Sequence, residues 1–144
     1  MISKSTLFAI TIIFNLIVFI LSTKLIISGT LKCNKSLLQG AKVSLCDGQS
    51  ETNPKKTETS GSDGRFIFNT ELSSSDSTYR VSIYYNCSLG DNKQSNESVY
   101  TRQQDYKSFA NQANSGTRYQ SRIDNIPDLI NATSDPRYQH CNKN

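Results

Sequence analysis

The sequence predicts a small all-β domain, and three stretches carry the prediction. In Gly29–Cys33, Leu31 and Cys33 alternate with Thr30 and Lys32, the spacing of a strand with one buried face. In Ala41–Cys46, Ala41, Val43 and Leu45 alternate with Lys42, Ser44 and Cys46 in the same way. Tyr79–Cys87 is the strongest strand in the chain, cleanly alternating and rich in aromatic and β-branched residues.

The chain opens on a different kind of segment. Lys4 supplies a short basic start, and Leu7 to Leu21 is apolar except for Thr11 and Asn15. That pattern reads as a secretory signal peptide over residues 1–22, with Ile20 and Ser22 suiting a cleavage site after Ser22. The small Ser28 allows cleavage as late as residue 28. The competing reading is an uncleaved anchor from Leu7 to Ile27, with Lys24 snorkelling at its end. On the signal-peptide reading the domain spans residues 29–130, followed by a tail, 131–144, tied down by Cys141, and no stable membrane span remains.

Between the main strands the sequence is punctuated by turns. Asn34-Lys35-Ser36 and Gly40 separate the first two, and Asp47 to Pro54 has loop composition. Lys56–Thr59 reads as a charged edge strand. Asp63-Gly64 then offers a tight hairpin turn before Phe66 and Phe68, which share one face. Ser73–Ser77 is a loop, Val99–Arg102 a weaker strand, and Lys107–Gly116 irregular or a short helix. Tyr119–Ile126 predicts a last strand, with Tyr119, Ser121 and Ile123 on one side, and Pro127 and Pro136 keep the tail extended.

Charge excludes one class of partner. Sixteen Lys and Arg stand against twelve Asp and Glu; loss of Lys4 leaves about +3 over about 120 residues, enough for one core. Acids interrupt the positive charges, so no nucleic-acid footprint is expected.

The four cysteines, Cys33, Cys46, Cys87 and Cys141, contain no CxxC pair, which in an exported chain favours disulfides over zinc. Three connectivities are possible. Parity favours Cys33–Cys87 with Cys46–Cys141: Cys33 and Cys87 share strand faces with core residues, whereas Cys46 lies on the face opposite Val43 and Leu45. Cys33–Cys87 is therefore expected to be buried and worth up to about 4 kcal/mol. Cys46 faces outwards or sits at a strand end, so Cys46–Cys141 is expected to be the more exposed pair, pinning the tail.

Asn34, Asn86, Asn96 and Asn131 each begin an Asn-x-Ser/Thr sequon. Asn96 and Asn131 lie in loop-like surroundings, while Asn34 and Asn86 abut cysteines, where early disulfide closure competes with glycan transfer.

Taken together, four motifs resemble the nematode-type transthyretin-like family of secreted proteins: Gly29-Leu31-Cys33, Gly40-Val43-Leu45, Ser62-Asp63-Gly64-Phe66 and Ile83-Tyr84-Tyr85-Asn86-Cys87. Ile123-Asp124-Asn125-Ile126-Pro127 is similar to the family's closing strand. The resemblance implies a two-sheet transthyretin-like (prealbumin-like) β-sandwich of seven or eight strands, secretion, and interaction rather than catalysis. Tyr85 replaces the family's histidine, so no role of that imidazole carries over. The cysteine that relatives carry just beyond Cys87 is missing, and Cys46 takes its place as partner to Cys141.

An enzyme would need a proton shuttle, and His140 is the only histidine. Asp63 is explained by its turn. Transthyretin-fold hydrolases that act on hydroxyisourate use several histidines and a Tyr-Arg-Gly-Ser-type end, which Tyr138–Asn144 does not supply. No cofactor or metal is expected. Tyr84, Tyr85, Tyr100 and Tyr119 are candidate interface residues, with core packing as the plainer reading; Tyr106 lies near the same strands. The expected function is a secreted extracellular binding or signalling module, free in solution or held at the cell surface. Its partner would be an extracellular protein, a lipid head group or a small apolar ligand. A structural or surface-coat glycoprotein is the alternative, and a hydrolase the weakest reading.

Overall fold

A computed structural model describes residues 23–72, 78–87, 97–105, 119–123 and 125–143. Among these, nine strands occur and no α-helix: β1 (Thr23–Thr30), β2 (Lys32–Cys33), β3 (Ser36–Leu37), β4 (Lys42–Asp47), β5 (Lys56–Thr59), β6 (Arg65–Leu72), β7 (Thr78–Tyr85), β8 (Ser98–Asp105) and β9 (Tyr119–Arg122). A single 3₁₀ turn covers Leu129–Asn131. The leader, the Ser73–Ser77 loop, Asn96, Tyr106 and the segment 107–116 lie outside the described residues.

The strands form a three-stranded sheet in the order β6-β1-β9, a four-stranded sheet β5-β4-β7-β8, and the small hairpin β2-β3. Leu25, Ile27, Phe66 and Phe68 of the first sheet meet Val43, Leu45, Val81 and Ile83 of the second in one core. The all-β expectation therefore holds, and the arrangement is consistent with a β-sandwich. Each of these side chains contributes about 1.5–3 kcal/mol by leaving water.

The first strand starts at Thr23, ahead of the boundary expected at Gly29. β1 pairs antiparallel with β6 along its full length, from Thr23↔Leu72 to Thr30↔Arg65, and Leu25 and Ile27 are fully buried. Removal of the chain up to Ser28 would take both from the core. The apolar run that resembled the end of a leader is, from Thr23 on, core strand.

The sequence also merged two elements. Leu31 and Cys33 do not continue one strand: the chain leaves the sheet after Thr30 and makes the β2-β3 hairpin, with Asn34 and Lys35 at φ 49° and 65°. Two consecutive positive φ values are the signature of a type I′ turn. This extra hairpin raises the strand number above seven or eight.

The turn at Asp63-Gly64 is present, but it does not join paired strands. Gly64 N–H donates to Gly61 O and Gly61 N–H to Arg65 O, both at 2.9 Å, after which β5 and β6 diverge into different sheets. Gly64 has φ 68°, and a Cβ there would lie 2.6 Å from Leu31 O. Only glycine meets both demands.

β9 runs parallel to β1, from Leu25↔Tyr119 to Ser28↔Arg122, which alternation alone does not specify. β7 is central, and seven of its eight residues are buried. A strand with one solvated face would not show that pattern. Something covers the second face.

Candidate functional site

The cover is the C-terminal segment. On the outer face of the four-stranded sheet, Cys46 stands opposite Arg80, and Ser82 lies between Ser44 and Thr101. Arg80 is fully buried. Its Nε donates to Gly48 O at 3.1 Å, while Nη1 and Nη2 donate to Gln139 O and Glu51 O. Burial pushes the guanidinium below its usual value, and nearby Glu51 opposes that shift. One side chain thus ties the C-terminal segment to the β4–β5 loop.

A polar network continues the seal. Ser82 Oγ accepts the Cys141 amide at 2.8 Å and shares a hydrogen bond with Thr101 Oγ1 at 2.7 Å. Thr101 Oγ1 also meets His140 Nδ1 at 2.6 Å. Tyr84 donates its hydroxyl proton to Cys141 O. Ser134 Oγ accepts the Thr101 amide and donates to Val99 O, which blunts the β8 edge.

Both expected cysteine pairs are formed, with Cα–Cα distances of 5.8 Å for Cys33–Cys87 and 5.9 Å for Cys46–Cys141. Their environments invert the expectation. Cys46 and Cys141 are fully buried, whereas Cys33 and Cys87 are half-buried. Cys46 does lie opposite Val43 and Leu45, but the tail closes over it.

The tyrosines fare differently from an exposed patch. Tyr85 and Tyr100 are buried, with Tyr85 Oη donating to Leu129 O at 2.8 Å. Tyr84 is engaged under the tail. Tyr119 enters β9 through its backbone, and its side chain lies outside the described residues. Tyr85 and Tyr100 are therefore internal packing groups, while Tyr84 is half-buried with its hydroxyl on the C-terminal segment. Desolvation pushes the phenols of Tyr79, Tyr84 and Tyr85 above their ordinary value. Asn34, Asn86 and Asn131 are all exposed.

His140 is exposed and is held through Nδ1 as above. It borders a cleft of about 460 Å³ together with Val99, Leu129 and Ser134. Ser82, which shares the Thr101 hydroxyl with His140, is fully buried and out of reach of a substrate. No group of three or more His, Cys, Asp or Glu residues among the described residues is placed to hold a metal ion.

The other sheet presents a contrasting outer face. Ile26, Ser28, Thr30, Arg65, Ile67, Gln120 and Arg122 line a shallow groove of about 210 Å³. Register sets Ile67 across from Ser28 and Arg122 beyond it, with Arg65 opposite Thr30. Ile67 is 56% exposed, the larger of two such exposures among the big apolar residues described. A second groove, of about 250 Å³, adjoins at Thr30 and Arg122 and adds Lys32 and Ile126. Apolar side chains here sit between cationic ones.

Neither the sealed face nor the open one was singled out from sequence. Arg80, in the middle of the strongest strand, was the signal for the first; the β1 alternation of Ile26 against Leu25 and Ile27 was the signal for the second. Comparison with protein-family models yields no match, and no curated protein matches the chain.

Proposed function

We propose that this chain is a secreted, non-catalytic binding module with a transthyretin-like β-sandwich, and that it meets an extracellular protein through the outer face of its three-stranded sheet. The observation that carries the reading is the difference between the two outer faces. One is locked under the C-terminal segment by a buried arginine and a disulfide; the other exposes Ile67, with Arg65, Arg122 and half-buried Ile26 lining the same groove. An apolar centre with a polar rim is how protein interfaces are built. The groove of about 210 Å³ is smaller than the roughly 300–1,000 Å³ of sites that enclose small ligands, which favours a protein surface with an acidic rim. Two disulfides and the leader-like start of the chain support export.

Site-specific photo-crosslinking tests the proposal. A photoreactive residue at position 67 of the tagged protein, irradiated in its native extracellular fluid, gives one dominant adduct that untagged protein competes away. Arg65→Glu reduces that adduct. The same residue at exposed position 53 gives no such adduct. Equal, uncompeted labelling from both positions refutes the reading, and an adduct with a second copy of the chain replaces it with the coat-protein alternative.

A further inference from the structure

Three of the four sequons meet at one end of the domain, which their separation along the chain conceals. Asn34 follows Cys33 and Asn86 precedes Cys87. The cysteine Cα atoms are 5.8 Å apart, so one peptide step on each side leaves the two asparagine Cα atoms within about 13 Å. Asp128 brings in the third. Its Oδ1 accepts the amides of Asn34 at 2.7 Å and Ile130 at 3.3 Å, and its Oδ2 accepts that of Lys35 at 2.5 Å. Asn131 follows Ile130, so it too lies within about 13 Å of Asn34. All three asparagines are exposed, as are the sequon hydroxyl residues Ser36 and Thr133.

We propose that Asn34, Asn86 and Asn131 carry N-linked glycans that together shield the Cys33–Cys87 end of the domain and close it to protein partners. The inference rests on export, because the modification belongs to secreted chains. A standard interface covers about 800 Å² per partner, a disc of about 16 Å radius. Bulky glycans rooted at Asn34 and at two points each within about 13 Å of it leave no such disc free at that end. The cleft of about 460 Å³, lined by Cys87, Leu129 and Thr133, falls under the same shield. The outer face of the three-stranded sheet holds none of the three sites.

The test uses the full chain expressed in secreting animal cells. Enzymatic deglycosylation in heavy-oxygen water, followed by peptide mass spectrometry, marks each occupied asparagine; intact mass counts glycans per molecule. At least two of the three residues are modified in the same molecule. Glycan removal then speeds acylation of Lys35 by about threefold or more, as expected when bulky cover is lost, and leaves Lys24 on the open sheet unchanged. Secreted, disulfide-bonded protein with at most one of the three modified overturns the shield, as does unchanged Lys35 labelling. A cytosolic product with four reduced cysteines overturns the export reading and the shield together, a distinguishable failure.

Discussion

Replacing Arg80 with Met removes the guanidinium while keeping an unbranched side chain of similar length in the same space. Three carbonyls lose their donor: Gly48 O, Glu51 O and Gln139 O. Gly48 is buried, so its carbonyl bears a desolvation penalty of about 1–3 kcal/mol. Glu51 and Gln139 are exposed residues, and water replaces part of what they lose, leaving about 1 kcal/mol each. Relief from burying a charge offsets some of the total. The net cost is about 2–4 kcal/mol, a large share of the roughly 5–15 kcal/mol that holds a domain together. The chain has no tryptophan, so urea unfolding is best followed by circular dichroism or tyrosine fluorescence. With a slope of about 2 kcal/mol/M the midpoint falls by about 1–2 M. Arg80→Lys loses nearly as much, because one ammonium cannot reach three divergent carbonyls. Native-state hydrogen exchange adds a local readout: the Cys141 amide, bonded to Ser82 Oγ, exchanges faster in both variants. A midpoint within about 0.3 M of the unmodified protein, inside the error of such measurements, refutes the clamp.

Gly64→Ala places a side chain at φ 68° with its Cβ 2.6 Å from Leu31 O; it costs about 2 kcal/mol or more by thermal unfolding. Ser44→Ala removes a buried hydroxyl that makes no hydrogen bond among the described residues, and is neutral or stabilising by up to about 1 kcal/mol in the same assay. Alkaline pH separates the tyrosines. The folded state holds the phenols of Tyr79, Tyr84 and Tyr85 above the unfolded value of 10.0. Their contribution is therefore intact below pH 10 and is lost as pH rises towards the folded values. Phenolate absorbance should accordingly rise in a late step coincident with unfolding. At the acid end, three backbone amides hold the Asp128 carboxyl below its ordinary value of 3.8. The β2-β3 clamp persists above that value and is lost as pH falls through the folded one, seen as faster exchange of the Asn34 and Lys35 amides.

Much of the fold was legible because alternation is local. Val43, Leu45, Val81 and Ile83 are core residues, as period-two spacing requires. The cysteine pairing follows from the same parity. Less was legible where the chain serves two purposes in one composition: Leu25 and Ile27 are apolar enough to continue a leader, yet they pair with β6. The hairpin Asp-Gly signal located the turn but not the destination of its strands. A turn specifies local backbone geometry, whereas sheet membership is decided by which apolar face each strand buries.

The candidate site was read least well, and one cause explains most of the error. Parity sorts residues into two faces but does not say that the second face meets water. Here Cys46, Arg80, Ser82 and Thr101 share a polar face, which sequence logic assigns to solvent. The chain covers it instead with residues 39 to 59 positions away, through Gln139, His140 and Cys141. Such a face has to be polar, because an extended segment carries unpaired amides and carbonyls wherever it lies. Serine, threonine, tyrosine and a buried arginine supply the partners that an apolar surface lacks. The same logic inverts the two disulfides. By loop length alone they differ little, with separations of 54 and 95 residues giving about 4.2 and 4.7 kcal/mol. The buried pair closes the larger loop and lies beneath the network, so removing Cys46 and Cys141 together costs at least as much as removing Cys33 and Cys87. Urea midpoints of the paired variants decide this, and a clearly lower midpoint for the Cys33/Cys87 variant would restore the order that parity suggested.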